Sequence, residues 1–170
     1  MKRLTLIRHA KSDWNDPTAT DFQRTLNARG RKAAPLMGQR MHQRGIRPEL
    51  LISSPAQRAR QTTELLAAQL ALPATDIRYD EALYGASLHQ LIEVIDGLPE
   101  LHHIAVVGHN PGLTDLGLWL CAAAPNWLPT CAVLELELMI GDWPEIMANC
   151  GRVRYYDYPK KPSADDPTRI

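Results

Sequence analysis

Residues 4–12 read Leu4-Thr5-Leu6-Ile7-Arg8-His9-Ala10-Lys11-Ser12. The four apolar or β-branched residues that open this stretch predict a short buried strand, of the kind found in the middle of a parallel sheet. Polar groups at the carboxyl end of such a strand are well placed for chemistry, because open α/β sheets bind ligands there. Here that end carries Arg8, with a permanently charged fork that fits phosphate, and His9, which can be a nucleophile or base near neutral pH.

Length and charge limit the classes of protein to consider. A chain of 170 residues predicts one domain with a sizeable core. A formal net charge of zero argues against a general nucleic-acid or membrane binder but allows a local basic pocket. The N-terminus has no apolar segment long enough for a signal peptide or a membrane span. We therefore expect a cytoplasmic protein.

The cysteines point to the same compartment. Cys121, Cys131 and Cys150 are odd in number and lack C-x-x-C spacing. This pattern predicts buried thiols in a reducing environment, and it does not fit a disulfide framework or a zinc site.

Strands and helices alternate along most of the chain. The predicted strands cover residues 4–7, 49–53, 76–79, 103–107, 131–140 and 152–156. The predicted helices cover residues 28–44, 55–70, 88–96 and a segment after 111. This alternation predicts a three-layer α/β/α fold with a mostly parallel central sheet and one antiparallel edge strand. We expect a single domain over residues 1–158 and a tail over residues 159–170.

Several local signals support these boundaries. Asn27 and Ser87 are expected to cap helices, and Ser54 followed by proline also resembles a helix start. Glu135 and Glu137 alternate with leucines, which predicts a strand with one face in water. The polar stretch 11–26 is expected to form an ordered loop over the site.

Three of the predicted strand ends carry residues suited to binding an anion. The first ends in Arg8 and His9, the second leads to Arg58 in the first turn of a helix, and the fourth leads to His109. Carboxyl ends of parallel strands meet at one sheet edge, where helix N-termini also offer free backbone donors. Two guanidiniums and two imidazoles there predict a pocket for phosphate. The lack of a carboxylate-rich cluster weighs against a metal site, because a divalent cation would be repelled.

Three motifs in this order resemble those of the histidine phosphatase superfamily, also called the phosphoglycerate mutase-like family. They are Leu6-Ile7-Arg8-His9-Ala10, Ser53-Ser54-Pro55-Ala56-Gln57-Arg58-Ala59-Arg60-Gln61-Thr62 and Val107-Gly108-His109-Asn110-Pro111-Gly112. The small size and the segments 24–27 and 83–87 look like the SixA branch of phosphohistidine phosphatases. Two positions depart from the usual pattern, Ala10 where the family has glycine and Thr25 where this branch often has proline.

The resemblance implies a phosphoglycerate mutase-like fold and a phosphatase that needs no metal or other cofactor. His9 would accept the phosphoryl group as a covalent phosphohistidine, while Arg8, Arg58 and His109 would hold the phosphoryl oxygens. Glu81 is the best candidate for the general acid, with neighbouring Asp80 as a substitute. The expected partner is a phosphate-bearing substrate, in the SixA branch a phosphohistidine on a protein.

Asn15 in the loop and Asn110 after the fourth strand are further candidates for contact with substrate. Two other functions remain open at this point. One is a phosphatase or mutase for small phosphate esters, although the short connections between motifs leave little chain for a lid. The other is a non-catalytic phosphoprotein-binding module, although mere binding does not need a nucleophile such as His9.

Overall fold

The computed structural model describes residues 1–162, which form six strands and four α-helices. The strands are β1 (Lys2–Arg8), β2 (Leu50–Ser53), β3 (Ile77–Tyr79), β4 (His103–Gly108), β5 (Val133–Leu138) and β6 (Gly151–Asp157). The helices are α1 (Ala28–Gln43), α2 (Gln57–Leu70), α3 (Leu88–Asp96) and α4 (Gly112–Leu120). None of the helices in the described part of the chain is long and apolar enough to cross a membrane. Of the expected tail, residues 163–170 lie outside the described residues.

The six strands form one sheet in the order β3-β2-β4-β1-β5-β6. The four strands from β3 to β1 pair in parallel, which confirms the mostly parallel sheet. The antiparallel strand is β5, and it pairs with both β1 and β6. It therefore lies one place inside the edge and not at the edge as expected, because β6 covers its outer side.

Helices cover both faces of the sheet. Adjacent side chains of β1 show the division, since Leu6 belongs to the core beneath α3 and α4, and Ile7 to the core beneath α1 and α2. Both side chains are fully buried, as the apolar run predicted. The result is a three-layer α/β/α arrangement with β1 and β4 at its centre.

Two of the expected helix caps are present. The Asn27 side chain accepts a hydrogen bond from the Gly30 amide, and Ser87 forms a capping box with Gln90. A Cβ atom at Gly30 would collide with the carbonyl of Lys11, so α1 begins directly against the chain that leaves β1. This contact fixes one end of the 11–26 loop beside the carboxyl edge of the sheet.

The expected start of α2 is wrong. The helix begins at Gln57, two residues later than predicted, and Ser54 does not cap it. The Ser54 hydroxyl instead lies 2.7 Å from Nε2 of His109. The same oxygen also accepts from the Ala56 amide at 3.3 Å, ahead of the helix, while it engages a histidine from another loop.

The expected wet face of β5 is also wrong. Glu135 and Glu137 do alternate with leucines, but they are only 5% and 6% exposed. The Glu137 carboxylate is held by Arg152 and by Arg154, both on the neighbouring strand β6. The arginines cover the carboxylates because they occupy the adjacent strand on the same face, which periodicity within β5 does not reveal.

Candidate active site

Four side chains from three strand ends converge at the carboxyl edge of the sheet. Because β1, β4 and β2 are parallel neighbours, the residues that follow them fall side by side. They open onto a cavity of about 290 Å³, which we call the histidine cleft. The residues that line this cleft include Arg8, His9, Arg24, Arg58, His109 and Asn110.

His9 presents an unprotonated nitrogen. Its Nδ1 lies 2.7 Å from the carbonyl oxygen of Ala10, which can only accept, so the proton of the neutral ring is on Nδ1. Its Nε2 then accepts from Nε of Arg58 at 3.4 Å. Burial first, with smaller contributions from His109, Arg58 and Arg8, lowers the pKa of His9 to about 3, although the bond to Ala10 opposes the shift. The imidazole is therefore neutral at pH 7.

His109 faces His9 across the cleft with the opposite tautomer. The two ring centroids are 5.2 Å apart. Nδ1 of His109 accepts from Nη2 of Arg58 at 3.4 Å, so Nε2 carries the proton and donates to the Ser54 hydroxyl at 2.7 Å. Burial first, and the charge of Arg58 second, lower the pKa of His109 to about 4. Both rings are thus neutral, and each directs a lone pair at the same guanidinium.

Arg58 is buried at the centre of the site, with 5% of its surface exposed. Besides the two histidines it contacts Asp21, donating from Nη1 to the backbone oxygen at 2.6 Å and from Nη2 to Oδ2 at 3.1 Å. A guanidinium held at both ends has little rotational freedom, which suits it to a single orientation toward a bound anion.

Asp21 was not predicted from the sequence as a site residue, yet it links three side chains. It pairs with Arg58 and, through Oδ1, with Nη2 of Arg24 at 2.9 Å. The Tyr84 hydroxyl donates to its Oδ2 at 2.5 Å. That hydrogen bond, together with the charge of Arg58, lowers the pKa of Asp21 and keeps it ionised. The sequence does show a carboxylate at this point of the loop after the first strand. The spacing between Asp21 and Tyr84 along the chain, however, gives no indication that the two side chains meet.

Arg8 and Asn110 are both tied to the segment that follows α4. Nη1 of Arg8 and Nδ2 of Asn110 donate to the carbonyl of Leu128, at 3.0 and 2.8 Å. The Nε of Arg8 is buried without a hydrogen-bond partner among the described residues. An unpaired buried donor is costly, and an anion in the cleft would satisfy it. Burial, and then the nearby charge of Arg58, lower the pKa of Arg8.

The remaining sequence candidates do not join this cluster. Asn15 lines a neighbouring depression with Asn27 and Arg31, and this depression has only Lys11 in common with the lining of the cleft. Glu81 is exposed, begins a 3₁₀ turn and is not among the residues that line the histidine cleft. Asp80 caps the same turn by accepting from the Ala82 amide.

The cluster can therefore bind an anion and present a nucleophile to it. Several donors from Arg8 and Arg58 converge on one cavity, and the unprotonated nitrogen of His9 lies among them. Within residues 1–162, His, Cys, Asp and Glu side chains form no group of three that could hold a metal ion.

Comparison with known proteins gives the same picture. Residues 4–91 match the histidine phosphatase superfamily (branch 1). A SixA structure from Agrobacterium tumefaciens is 29% identical with a TM-score of 0.78, over 93% of this chain and 98% of that chain. A structure of the protein histidine phosphatase SixA complexed with tungstate has a TM-score of 0.78 at 22% identity, over 92% of this chain and 97% of that chain. An uncharacterized protein of Mycobacterium tuberculosis is 30% identical, over 91% of this chain and 100% of its own length.

The family match spans the first two of the three sequence motifs, and the structural matches extend over the third. The fold is accordingly phosphoglycerate mutase-like, as the resemblance implied. The chain belongs to the histidine phosphatase superfamily, branch 1, whose members are phosphatases.

Proposed function

We propose that this protein is a metal-independent phosphatase that forms a covalent phosphohistidine on His9 and acts on phosphohistidine in proteins. One observation carries the proposal. The Nε2 lone pair of His9 lies 3.4 Å from a buried arginine, beside a second histidine, in a cleft that also contains Arg8. A neutral imidazole among fixed cations is the arrangement that nucleophilic attack on a phosphoryl group requires.

In the first step Nε2 of His9 attacks phosphorus, and a P–N bond forms as the bond to the leaving group breaks on the opposite side. Arg8 and Arg58 hold the equatorial oxygens, where charge must be stabilised during in-line transfer, and His109 joins them once its Nδ1 takes up a proton beside the bound dianion. The Nδ1–H of His9 stays bonded to the Ala10 carbonyl, which supports the positive charge that develops on the ring.

In the second step water attacks the phosphohistidine. The new P–O bond forms as the P–N bond breaks, the electron pair of the P–N bond returns to Nε2 of His9, and both protons of the water leave on the product, as H₂PO₄⁻. His9 is thereby restored in its starting tautomer. Both steps transfer a phosphoryl group and change no oxidation state, so they require no redox cofactor.

The leaving group decides how much acid catalysis the first step needs. An imidazole that leaves from phosphohistidine is readily protonated by water, whereas an alkoxide is a poor leaving group that benefits about 10²–10⁴-fold from a proton donor. We propose Glu81 as that donor for esters. Glu81 does not line the histidine cleft, so this role requires the 3₁₀ turn to bring its carboxyl group toward a bound ester.

Two observations favour a phosphate carried on a protein. Trp14, which lines the cleft, is 77% exposed, and Trp127, whose ring lies 5.5 Å from the Arg8 guanidinium, is 54% exposed. Exposed aromatic residues around a site are typical of surfaces that contact macromolecules. The similarity to SixA structures supports the same substrate class.

The test compares hydrolysis of a phosphohistidine peptide, a phosphoserine peptide and a sugar phosphate by the wild-type protein and by His9→Ala. We expect the phosphohistidine peptide to be the best substrate. We also expect His9→Ala to lose about 10³-fold or more in kcat and to retain no acid-labile phosphate label. His89→Ala, at an exposed position on α3, is the matched control. A label retained elsewhere in His9→Ala would contradict the assignment, and faster hydrolysis of the sugar phosphate would favour a small-ester phosphatase.

A further inference from the structure

A second cavity adjoins the histidine cleft. It has a volume of about 490 Å³ and lies between α1 and the segments 129–130 and 158–160. Lys11 and Thr130 line both cavities, so the second continues from the first. We call this second cavity the basic groove, and its lining includes Lys11, Arg29, Lys32, Leu36, Tyr158 and Lys160.

The rim of the basic groove is strongly positive. Lys11, Arg29, Lys32 and Lys160 line it, and no Asp or Glu among residues 1–162 does. None of these four cations forms an ion pair with another residue in the described range 1–162. The chain as a whole has no net charge, so this potential is a local feature.

The floor of the basic groove is apolar. It is formed by Ala33 and Leu36 of α1, by Pro129 and Pro159, and by Tyr158. Leu36 is 39% exposed and is one of the large apolar side chains that the fold leaves open to solvent. A floor of aliphatic and proline residues beneath a basic rim matches a ligand that combines apolar and acidic groups.

We propose that the basic groove binds an acidic and apolar segment of the phosphorylated substrate protein, next to the phosphorylated side chain in the histidine cleft. This inference rests on the proposed function and specifies the substrate class. A sugar phosphate would be accommodated by the cleft alone, and it has no apolar body to cover Leu36. An acidic peptide segment complements both the floor and the rim, and it extends continuously from the cleft past Lys11.

The first test uses two phosphohistidine peptides, one with flanking Asp, Glu and Leu, and one in which the acids are replaced by Asn and Gln. We expect wild-type kcat/KM to be about 5-fold to 10-fold higher for the acidic peptide, mainly through KM, because exposed charges contribute modestly. The double variant Arg29→Glu/Lys32→Glu should abolish this preference and leave turnover of free phosphoramidate within twofold. Arg78→Glu, at an exposed position on β3, should keep the preference.

The second test measures binding without chemistry, by titrating the unphosphorylated acidic peptide into each protein. Weaker binding of the peptide to Arg29→Glu/Lys32→Glu than to Arg78→Glu supports the basic groove, whether or not the protein hydrolyses phosphohistidine. Absence of phosphohistidine hydrolysis would reject only the proposed function. Equal hydrolysis of the two peptides by the wild-type protein would overturn the groove and leave the phosphatase intact. Equal binding of the acidic peptide to all three proteins, or tighter binding of an oligonucleotide than of the peptide, would also overturn it.

Discussion

Nε of Arg58 lies 3.4 Å from Nε2 of His9, so the nitrogen proposed to attack phosphorus is in contact with a buried permanent cation. The same guanidinium contacts His109 at 3.4 Å. Burial is the main reason that both imidazoles stay neutral, and Arg58 adds to it because it repels a proton on either facing nitrogen. The arginine thus serves two purposes, since it prepares the nucleophile and also supplies charge for the incoming phosphate.

The first prediction concerns the acid limb of the pH profile. An ordinary imidazole is about 90% protonated at pH 5.5. Because burial lowers the pKa of His9 to about 3 and that of His109 to about 4, both rings stay neutral at this pH. We expect kcat/KM to show no loss with an apparent pKa near 6.5 and to decline only toward pH 4. The measurement is kcat/KM as a function of pH, on a substrate whose phosphoryl group does not change its ionisation over this range. An acid limb with its midpoint near pH 6.5 would contradict the prediction.

The second prediction concerns stability. Burial lowers the pKa of His103 to about 4, so between pH 6.5 and pH 4 the unfolded chain binds a proton there that the folded chain does not. Stability therefore falls as pH is lowered, for this residue on the order of 2 kcal/mol between pH 7 and pH 5. His103→Gln should flatten the pH dependence of the free energy of unfolding, measured with denaturant. His89→Gln, at an exposed position, should leave the slope unchanged, and an unaltered slope in His103→Gln would refute the argument.

The third prediction concerns Ser54. Its hydroxyl accepts from Nε2 of His109 at 2.7 Å, which fixes the tautomer of that ring. Ser54→Ala should reduce kcat about 10-fold and cost about 1–3 kcal/mol in stability, because a buried donor loses its partner. Ring nitrogen chemical shifts of His109 should report the change in tautomer. The control is Ser53→Ala, since that hydroxyl donates to the Ser54 carbonyl and, within residues 1–162, forms no hydrogen bond to a histidine. Equal effects of the two variants would leave no positioning role for Ser54.

The fourth prediction concerns Asp21. Asp21→Asn keeps the backbone contact to Arg58 but removes the negative charge that orients the guanidinium. We expect kcat to fall about 10-fold through loss of orientation, while inorganic phosphate inhibits more strongly because the cleft becomes more positive. Steady-state kinetics with phosphate as inhibitor measure both effects. Asp16→Asn, in the same loop and bonded only locally to Thr18 and its neighbour, should change neither.

The fifth prediction concerns the proposed proton donor. Glu81→Gln should leave phosphoramidate hydrolysis within twofold and slow an alkyl phosphate ester about 10²-fold, because only the ester has a poor leaving group. Rates on the two substrates, with the exposed Glu93→Gln as control, decide the matter. Equal loss on both substrates would show that Glu81 acts in some other way.

The parts of the fold that depend on local pattern were predictable. The strand over residues 4–7, the Asn27 and Ser87 caps and the helices they begin all appear where periodicity and capping chemistry indicated. The convergence of His9, Arg58 and His109 followed as well, because parallel strands present their carboxyl ends on one edge. These features were predictable because each depends either on residues close together in the chain or on the alternation of strands and helices, which places parallel strands side by side.

Other features depend on contacts between segments far apart in the chain. Asp21 meets Tyr84 and Arg58 only because a loop folds over the sheet edge, and the Ser54 hydroxyl binds a histidine 55 residues away instead of capping a helix. The β5 carboxylates are buried because arginines of β6 lie across from them. The amino-acid sequence by itself determined the strands, two helix caps and the placement of Arg8, His9, Arg58 and His109 at one edge of the sheet. Only tertiary structure decided how those residues are oriented and charged, because desolvation and long-range hydrogen bonds are properties of the packed chain and not of any one segment.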